Sequence, residues 1–332
     1  LRPFVPFFRN PHLLTIAGNF WRRAIDEVRF PTRAVLYDTE PGTRILIHEN
    51  RPASPERGAA RGEVLLHHGL EGSSRSGYMI SLAQCLLEAG FAVHRMNMRS
   101  CGGTEHLTNT LYHSGLTQDV RSILEQIRAA GRGPCFLVGF SLGGNVSLKL
   151  AGELGEQARG LLAGVCAVST PIDLHACVRR LAAVENRIYE RRFMRGLRAR
   201  YRRRHLADPD RFPVEGLDST RTVFEFDDRF TAKAFGFGDA PNYYATQSAV
   251  RFLPGIEIPT LLLQAQDDPL IPYKIFESSA VQGNPHVRLL AVPAGGHLGF
   301  IARSRPRFWL DPVLRDWIAA ISEQCTGADR LG

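Results

Sequence analysis

Ser141 lies in Gly139-Phe140-Ser141-Leu142-Gly143-Gly144, between the apolar run CFLVGF (135–140) and the helix-like stretch NVSLKLAGEL (145–154). A serine hydroxyl is a weak nucleophile until a base takes its proton. The G-x-S-x-G pattern suits that use: a strand turns sharply into a helix and leaves the serine exposed at the apex. Such a turn strains the serine backbone and crowds the neighbouring chain. The positions two before and two after must lack bulk, and Gly139 and Gly143 stand there. Gly144 lets the new helix approach the sheet, and Leu142, Val146, Leu150 and Leu154 give that helix one apolar face. The competing reading is a phosphate loop or a plain tight turn. The position between a buried strand and an amphipathic helix favours the elbow.

An elbow serine needs an imidazole, and the imidazole needs a carboxylate. In this arrangement the acid and then the base follow the serine along the chain. Reactive groups lie at the carboxyl ends of parallel strands. The histidines after Ser141 are His175, His205, His286 and His297. His286 precedes the run VRLLAVP (287–293), at the wrong end of a strand, whereas His297 follows it in the loop AGGHLGF. The acid should follow the preceding run, TLLLQAQ (260–266), which ends at Asp267-Asp268. Asp268 is preferred, Asp267 is its rival, and Asp173, after LLAGVCAVS (161–169), is a more distant third. An aspartate not used in this way would make a turn or a helix cap. Negative charge developing on a substrate oxygen needs two backbone amides. Leu142 follows the serine, and Leu70 lies in HHGLEGSS after the run EVLL. His67-His68 suggest a metal at first sight, but no third ligand stands at a matching spacing, so neither metal nor cofactor is expected.

The elements that must position these groups are legible as alternating runs. Strands are expected at 63–69, 91–97, 135–140, 161–169, 260–266 and 287–293, with helices over 79–89 and 117–129. Strand, helix, strand in repetition predicts a parallel sheet covered on both faces. The near-continuous apolar character of the runs suits central parallel strands. Residues 34–50 read as an antiparallel edge hairpin turning at Pro41-Gly42. Between Ser169 and Pro259 the alternation stops, and a mostly helical cap is expected. The domain reading is a core of residues 1–170 and 255–332 with a cap of residues 171–254.

The chain has 332 residues, 44% hydrophobic and 22% charged, as in ordinary soluble domains, and no run of 18 apolar residues. Its net charge of +8 is localised: residues 175–205 hold 11 arginines against two glutamates, and the remainder is close to neutral. That localisation argues against nucleic acid as a partner. Leu181, Val184, Ile188, Phe193, Leu197 and Tyr201 fall at three- to five-residue steps within it, which predicts an amphipathic basic helix with a break at Gly196. Two readings stand: a solvated cap helix whose apolar side covers the site, or a contact with anionic lipid headgroups made by Arg200, Arg202, Arg203 and Arg204, with FVPFFRN assisting. The six cysteines match no metal or redox spacing; Cys135 and Cys166 fall in strand runs, and a reducing compartment is expected. The expected location is the cytoplasm, with or without a peripheral membrane contact. The sequence opens on Leu1 rather than Met, which leaves open a segment removed ahead of it.

Taken together, NPHLLT (10–15), HHGLEGSSRSGYM (67–79), NMRSCGG (97–103), YHSGLTQDV (112–120), GFSLGGNVSLK (139–149), FDDRFTAKAFGF (226–237), DDP and GGHLGF resemble the α/β-hydrolase superfamily, and within it the YheT-like branch. The branch usually has Gly where Ser100 stands and often Gln where Leu14 stands. The resemblance implies an α/β-hydrolase fold, a mostly parallel central sheet with helices on both faces and an inserted helical cap. It implies a serine esterase or lipase acting on acyl esters, lipids among them. It carries Ser141 over as nucleophile, Asp268 as acid and His297 as base, and it agrees with Leu70 and Leu142 at the oxyanion hole. An acyltransferase using the same three residues, and a non-catalytic binding protein on this fold, are the other readings.

Overall fold

A computed structural model describes residues 3–52 and 60–328. Eight strands form one sheet: β1 (Arg33–Glu40), β2 (Thr43–Asn50), β3 (Glu63–His67), β4 (Ala92–Met96), β5 (Cys135–Phe140), β6 (Gly164–Val168), β7 (Thr260–Ala265) and β8 (Val287–Val292), in the spatial order β1-β2-β4-β3-β5-β6-β7-β8. β3 to β8 are parallel; β1 and β2 form the antiparallel hairpin at one edge, turning at Gly42 with φ 77°. Every residue of β3, β4, β5, β6 and β7 is buried, which is why these segments read as near-continuous apolar runs, broken by buried polar residues such as His94 and Arg95 of β4. The expected run at 161–169 becomes a strand only from Gly164, because a 3₁₀ turn over Gly155–Gly160 comes before it.

Helices cover both faces: α1 (Pro11–Phe20), α2 (Gly77–Glu88), α3 (Gln118–Ala129) and α4 (Leu142–Leu154) come before β6. The inserted segment carries α5 (Leu174–Leu181), α6 (Arg187–Ala207), α7 (Val223–Phe226), α8 (Ala232–Ala234) and α9 (Ala240–Gln247). α10 (Ser279–Gln282) and α11 (Leu310–Ala328) follow. Side chains alternate across the sheet. Val64 and Leu66 of β3 join Leu82 of α2 and Leu314 of α11, while Leu65 joins Ile123 of α3 and Val146 of α4. Leu174, Met194 and Tyr243 of the insert belong to that second cluster, so the insert shares its core with the sheet. No described helix is long and apolar enough to cross a membrane.

The arginine-rich helix differs from its sequence reading. α6 runs unbroken through Gly196. A Cβ at Gly196 would meet the Glu71 carboxylate, so the glycine leaves that side chain its room. Leu181 ends α5, and Val184 and Ile188 are exposed. Of the expected face, Leu197 and Tyr201 are buried and Phe193 lines the cavity, and the buried side of α6 also carries Glu190, Met194, Arg200 and Arg204. Arg200 pairs with Glu71, and Arg204 donates to the carbonyls of Glu105 and Thr108, each at 2.6 Å. Arg202 and Arg203 pair with Asp218 and Glu105, both contacts on the surface. The four arginines of the lipid reading are therefore engaged within the chain, and two of them are buried.

Candidate active site

Ser141 follows β5 directly and caps α4, with φ 51° and ψ −121°. A non-glycine residue there stores on the order of 1–3 kcal/mol of strain. The surroundings impose it: the Ser141 N–H donates to the Val168 carbonyl at 2.8 Å, anchoring the turn to β6. A Cβ on Gly143 would strike the carbonyls of His67 and His68, and one on Gly139 would strike the Gly143 carbonyl. The first N–H groups of α4 and the positive end of its dipole therefore lie at the serine.

His297 follows β8. Its Nε2 stands 3.0 Å from Ser141 Oγ, and its Nδ1 stands 2.9 Å from Asp268 Oδ2. Asp268 follows β7, and its carboxylate has no exposure. Oδ1 accepts the N–H groups of Leu270 (2.9 Å) and Ile271 (3.1 Å), and Oδ2 accepts the Gln264 amide (3.2 Å). A carboxylate accepts only, so Nδ1 carries the ring proton and Nε2 turns a lone pair toward the hydroxyl. Asp267 reaches a different atom: its Oδ1 accepts the Gly296 N–H at 2.9 Å and so shapes the loop that carries His297. Asp173 caps α5 through the Ala176 N–H at 2.9 Å. His175 stacks near Tyr244, His205 bonds the Phe212 carbonyl, and His286 lies ahead of β8.

Leu70 and Leu142 line the same cavity as Ser141 and His297. Gly69 brings the loop against the serine: a Cβ there would lie 3.0 Å from Ser141 Cβ. His68 helps to set this loop, since its Nδ1 faces the Gly69 carbonyl at 2.8 Å while its Nε2 accepts the Met98 N–H at 3.0 Å. Burial pushes its pKa down to about 4, and that of His67 down to about 3, so both rings are neutral.

The cavity has an empty volume of about 960 Å³, its mouth included. Leu174, Val178, Phe193, Leu197, Val223 and Phe226 of the insert supply much of its apolar wall. A second, more polar cleft of about 1270 Å³ reaches Ser141 and His297 from the side of α1. The hydroxyl thus stands where an apolar chamber meets a polar one.

A family model described as the alpha/beta hydrolase fold matches residues 63–304. The chain belongs to the alpha/beta hydrolase family. Within it this hydrolase is YheT-like. It is 31% identical to "Putative esterase YheT" of Escherichia coli (strain K12), over 96% of this chain and 94% of that one. It is 29% identical to a monoacylglycerol lipase of Saccharomyces cerevisiae (89% and 67%) and 27% identical to the phospholipase ABHD3 of Mus musculus (80% and 65%). The solved Pyrococcus furiosus esterase Pf2001 matches with a TM-score of 0.56 at 16% identity, over 97% of this chain and 98% of that one, a likeness of fold.

Three features of the hydrolase's site escaped the sequence reading. The His297 N–H donates to Thr15 Oγ1 (2.9 Å), whose hydroxyl donates to the Pro11 carbonyl (2.8 Å), so α1 braces the His297 loop. The signal was present in NPHLLT, where Asn10 caps the helix and Pro11 opens it. Glu71, beside Leu70, has φ 57°. It pairs with Arg200, whose guanidinium lies 4.8 Å over the Tyr112 ring, and α6 thereby grips the Leu70 loop. Asp227 sits in the cavity wall on a π-helical turn (Asp227–Thr231) and accepts from Tyr244 Oη (2.7 Å) and Thr231 Oγ1 (2.8 Å). Burial raises its pKa to about 6.

Proposed function

We propose that this hydrolase cleaves carboxylic acyl esters through an acyl-enzyme. Its esterase- and lipase-named relatives support the reaction class. The observation that carries the mechanism is the run Ser141–His297–Asp268 at the meeting of the two chambers. In this reading His297 Nε2 takes the hydroxyl proton as Ser141 Oγ attacks the ester carbonyl. Asp268 holds the ring and stabilises the imidazolium. The amides of Leu70 and Leu142 receive the oxyanion. His297 then gives its proton to the leaving alcohol, and water repeats the sequence in reverse to free the acid. The acyl chain occupies the apolar chamber beneath residues 171–254, read as the cap, and the leaving group occupies the polar cleft.

The test is a panel of p-nitrophenyl esters of increasing chain length, with Ser141→Ala alongside. Wild type should hydrolyse them and Ser141→Ala should lose several orders of magnitude in kcat, together with labelling by a fluorophosphonate. Full labelling of the variant would put the nucleophile elsewhere. Adding a short alcohol separates transfer from hydrolysis by whether a new ester forms.

A further inference from the structure

We propose that this hydrolase docks on an anionic lipid surface through the outer side of α1 and the first half of α6, with the polar cleft beside Ser141 opening onto that surface. The proposal deepens the ester-hydrolase reading and rests on it for the nature of the substrate.

Leu13, Ile16 and Phe20 repeat at helical spacing on the outer side of α1, while Leu14, Thr15 and Gly18 face inward. Trp21 follows them. Val184, just before α6, and Ile188 in its first turn are 72% and 70% exposed, and Phe20 is itself 70% exposed. These are six of the ten large apolar side chains exposed among the described residues, and they are gathered on two elements that touch. The two elements are joined: His12 Nδ1 and Tyr189 Oη lie 3.1 Å apart with their rings stacked, and Arg192 donates to Asn19 Oδ1 at 3.3 Å with its guanidinium 5.6 Å over the Phe20 ring. Ile16, Phe20 and Arg192 line the mouth of the cleft whose depth holds Ser141 and His297.

Charge decides the occupant. Along α6 the arginines divide at its middle. In the second half, Arg200, Arg202 and Arg203 pair with carboxylates and Arg204 with carbonyls. In the first half, Arg187, Arg191, Arg192 and Arg195 are exposed, and among the described residues none of them is ion-paired. The uncompensated cations thus border the apolar patch. An apolar stripe that enters the acyl region with guanidinium groups at headgroup level is the pattern an anionic membrane surface accepts.

Sedimentation with vesicles tests this. The full chain should bind vesicles of phosphatidylcholine containing phosphatidylglycerol at low salt, bind pure phosphatidylcholine far less, and dissociate as salt rises. The triple change Arg187→Gln, Arg191→Gln and Arg195→Gln should weaken binding on the order of 100-fold. Leu13→Ser with Ile188→Ser should weaken it at least about tenfold. Arg202→Gln with Arg203→Gln should leave it unchanged. All three variants should hydrolyse a small soluble ester at the wild-type rate. Equal binding to neutral and anionic vesicles, no binding to either, or undiminished binding by the first two variants would overturn the proposal. So would a wild-type dimer in solution that Leu13→Ser with Ile188→Ser splits, since the face would then belong to a second copy. Sedimentation reads docking alone and the soluble ester reads hydrolysis alone, so failure of one is told apart from failure of the other.

Discussion

Asp267 and Asp268 are neighbours in the chain, but their carboxylates serve different partners: one holds the Gly296 amide, the other the His297 ring. Asp268→Asn should therefore lower kcat on a soluble ester by about 10⁴, because the ring loses both its tautomer and its counter-charge. Asp267→Asn keeps an acceptor for Gly296 and should cost about tenfold or less. If the losses are reversed, Asp267 is the acid. Asp227 calls for a different measurement. Its pKa rises from 3.8 in the unfolded chain to about 6 when buried. Between those values the folded protein holds a proton that the unfolded chain has released, so this group's contribution to stability is greatest below pH 4, falls as pH rises, and is level above about 6. The total is on the order of 3 kcal/mol. Melting temperatures of wild type and Asp227→Asn, measured from pH 4 to pH 7, should converge at the acid end, with wild type showing the steeper decline. Parallel curves would mean that Asp227 does not titrate in this window.

Among the elements, α6 is where charge overrides hydropathy. Its inward side carries Glu190, Arg200 and Arg204, each bonded to a partner from elsewhere in the fold. A reading that assigns arginines to solvent therefore finds Leu197 and Tyr201 on the buried side but misses Arg200 and Arg204 beside them, and it takes Gly196 for a break when the glycine makes room for Glu71. The strands β5 and β7 escape this ambiguity, because burial on both sides leaves nearly apolar runs whose ends place Ser141 and Asp268; β8 is the partly exposed edge strand, and its end places His297. In the proposed mechanism, where the Leu70 amide receives the oxyanion, the Glu71–Arg200 pair acquires a functional consequence of its own. Glu71 is held at φ 57° next to the amide of Leu70, so its partner helps to aim that amide. Arg200→Met removes the charge and keeps much of the stem. It should lower kcat by about 10- to 100-fold with little change in KM, since the proposed role of the Leu70 amide is exercised in the transition state. A rise in KM with kcat preserved would assign Arg200 to substrate binding instead.

At the scale of the whole molecule, the site draws on residues that follow four parallel strands, β3, β5, β7 and β8, and the sheet order brings them to one end. That much was legible, because adjacent parallel strands deliver their carboxyl ends to the same edge. The brace from α1 was not, because no periodicity links a threonine near the start of the chain to a histidine near its end. The Thr15–His297 bond spans 282 positions. Contacts so remote in sequence form after the local ones, because the intervening chain must first be ordered. During refolding, the elbow can assemble with β5, β6 and α4 while His297 still lacks its brace. The hydrolase should thus recover its far-UV circular dichroism before it recovers labelling by a fluorophosphonate, and Thr15→Val should lengthen the lag. Simultaneous recovery would mean that sheet and site mature together. In the delayed case, newly made chains would pass through an interval in which the nucleophile is present and unarmed, a built-in safeguard against premature reaction with passing esters.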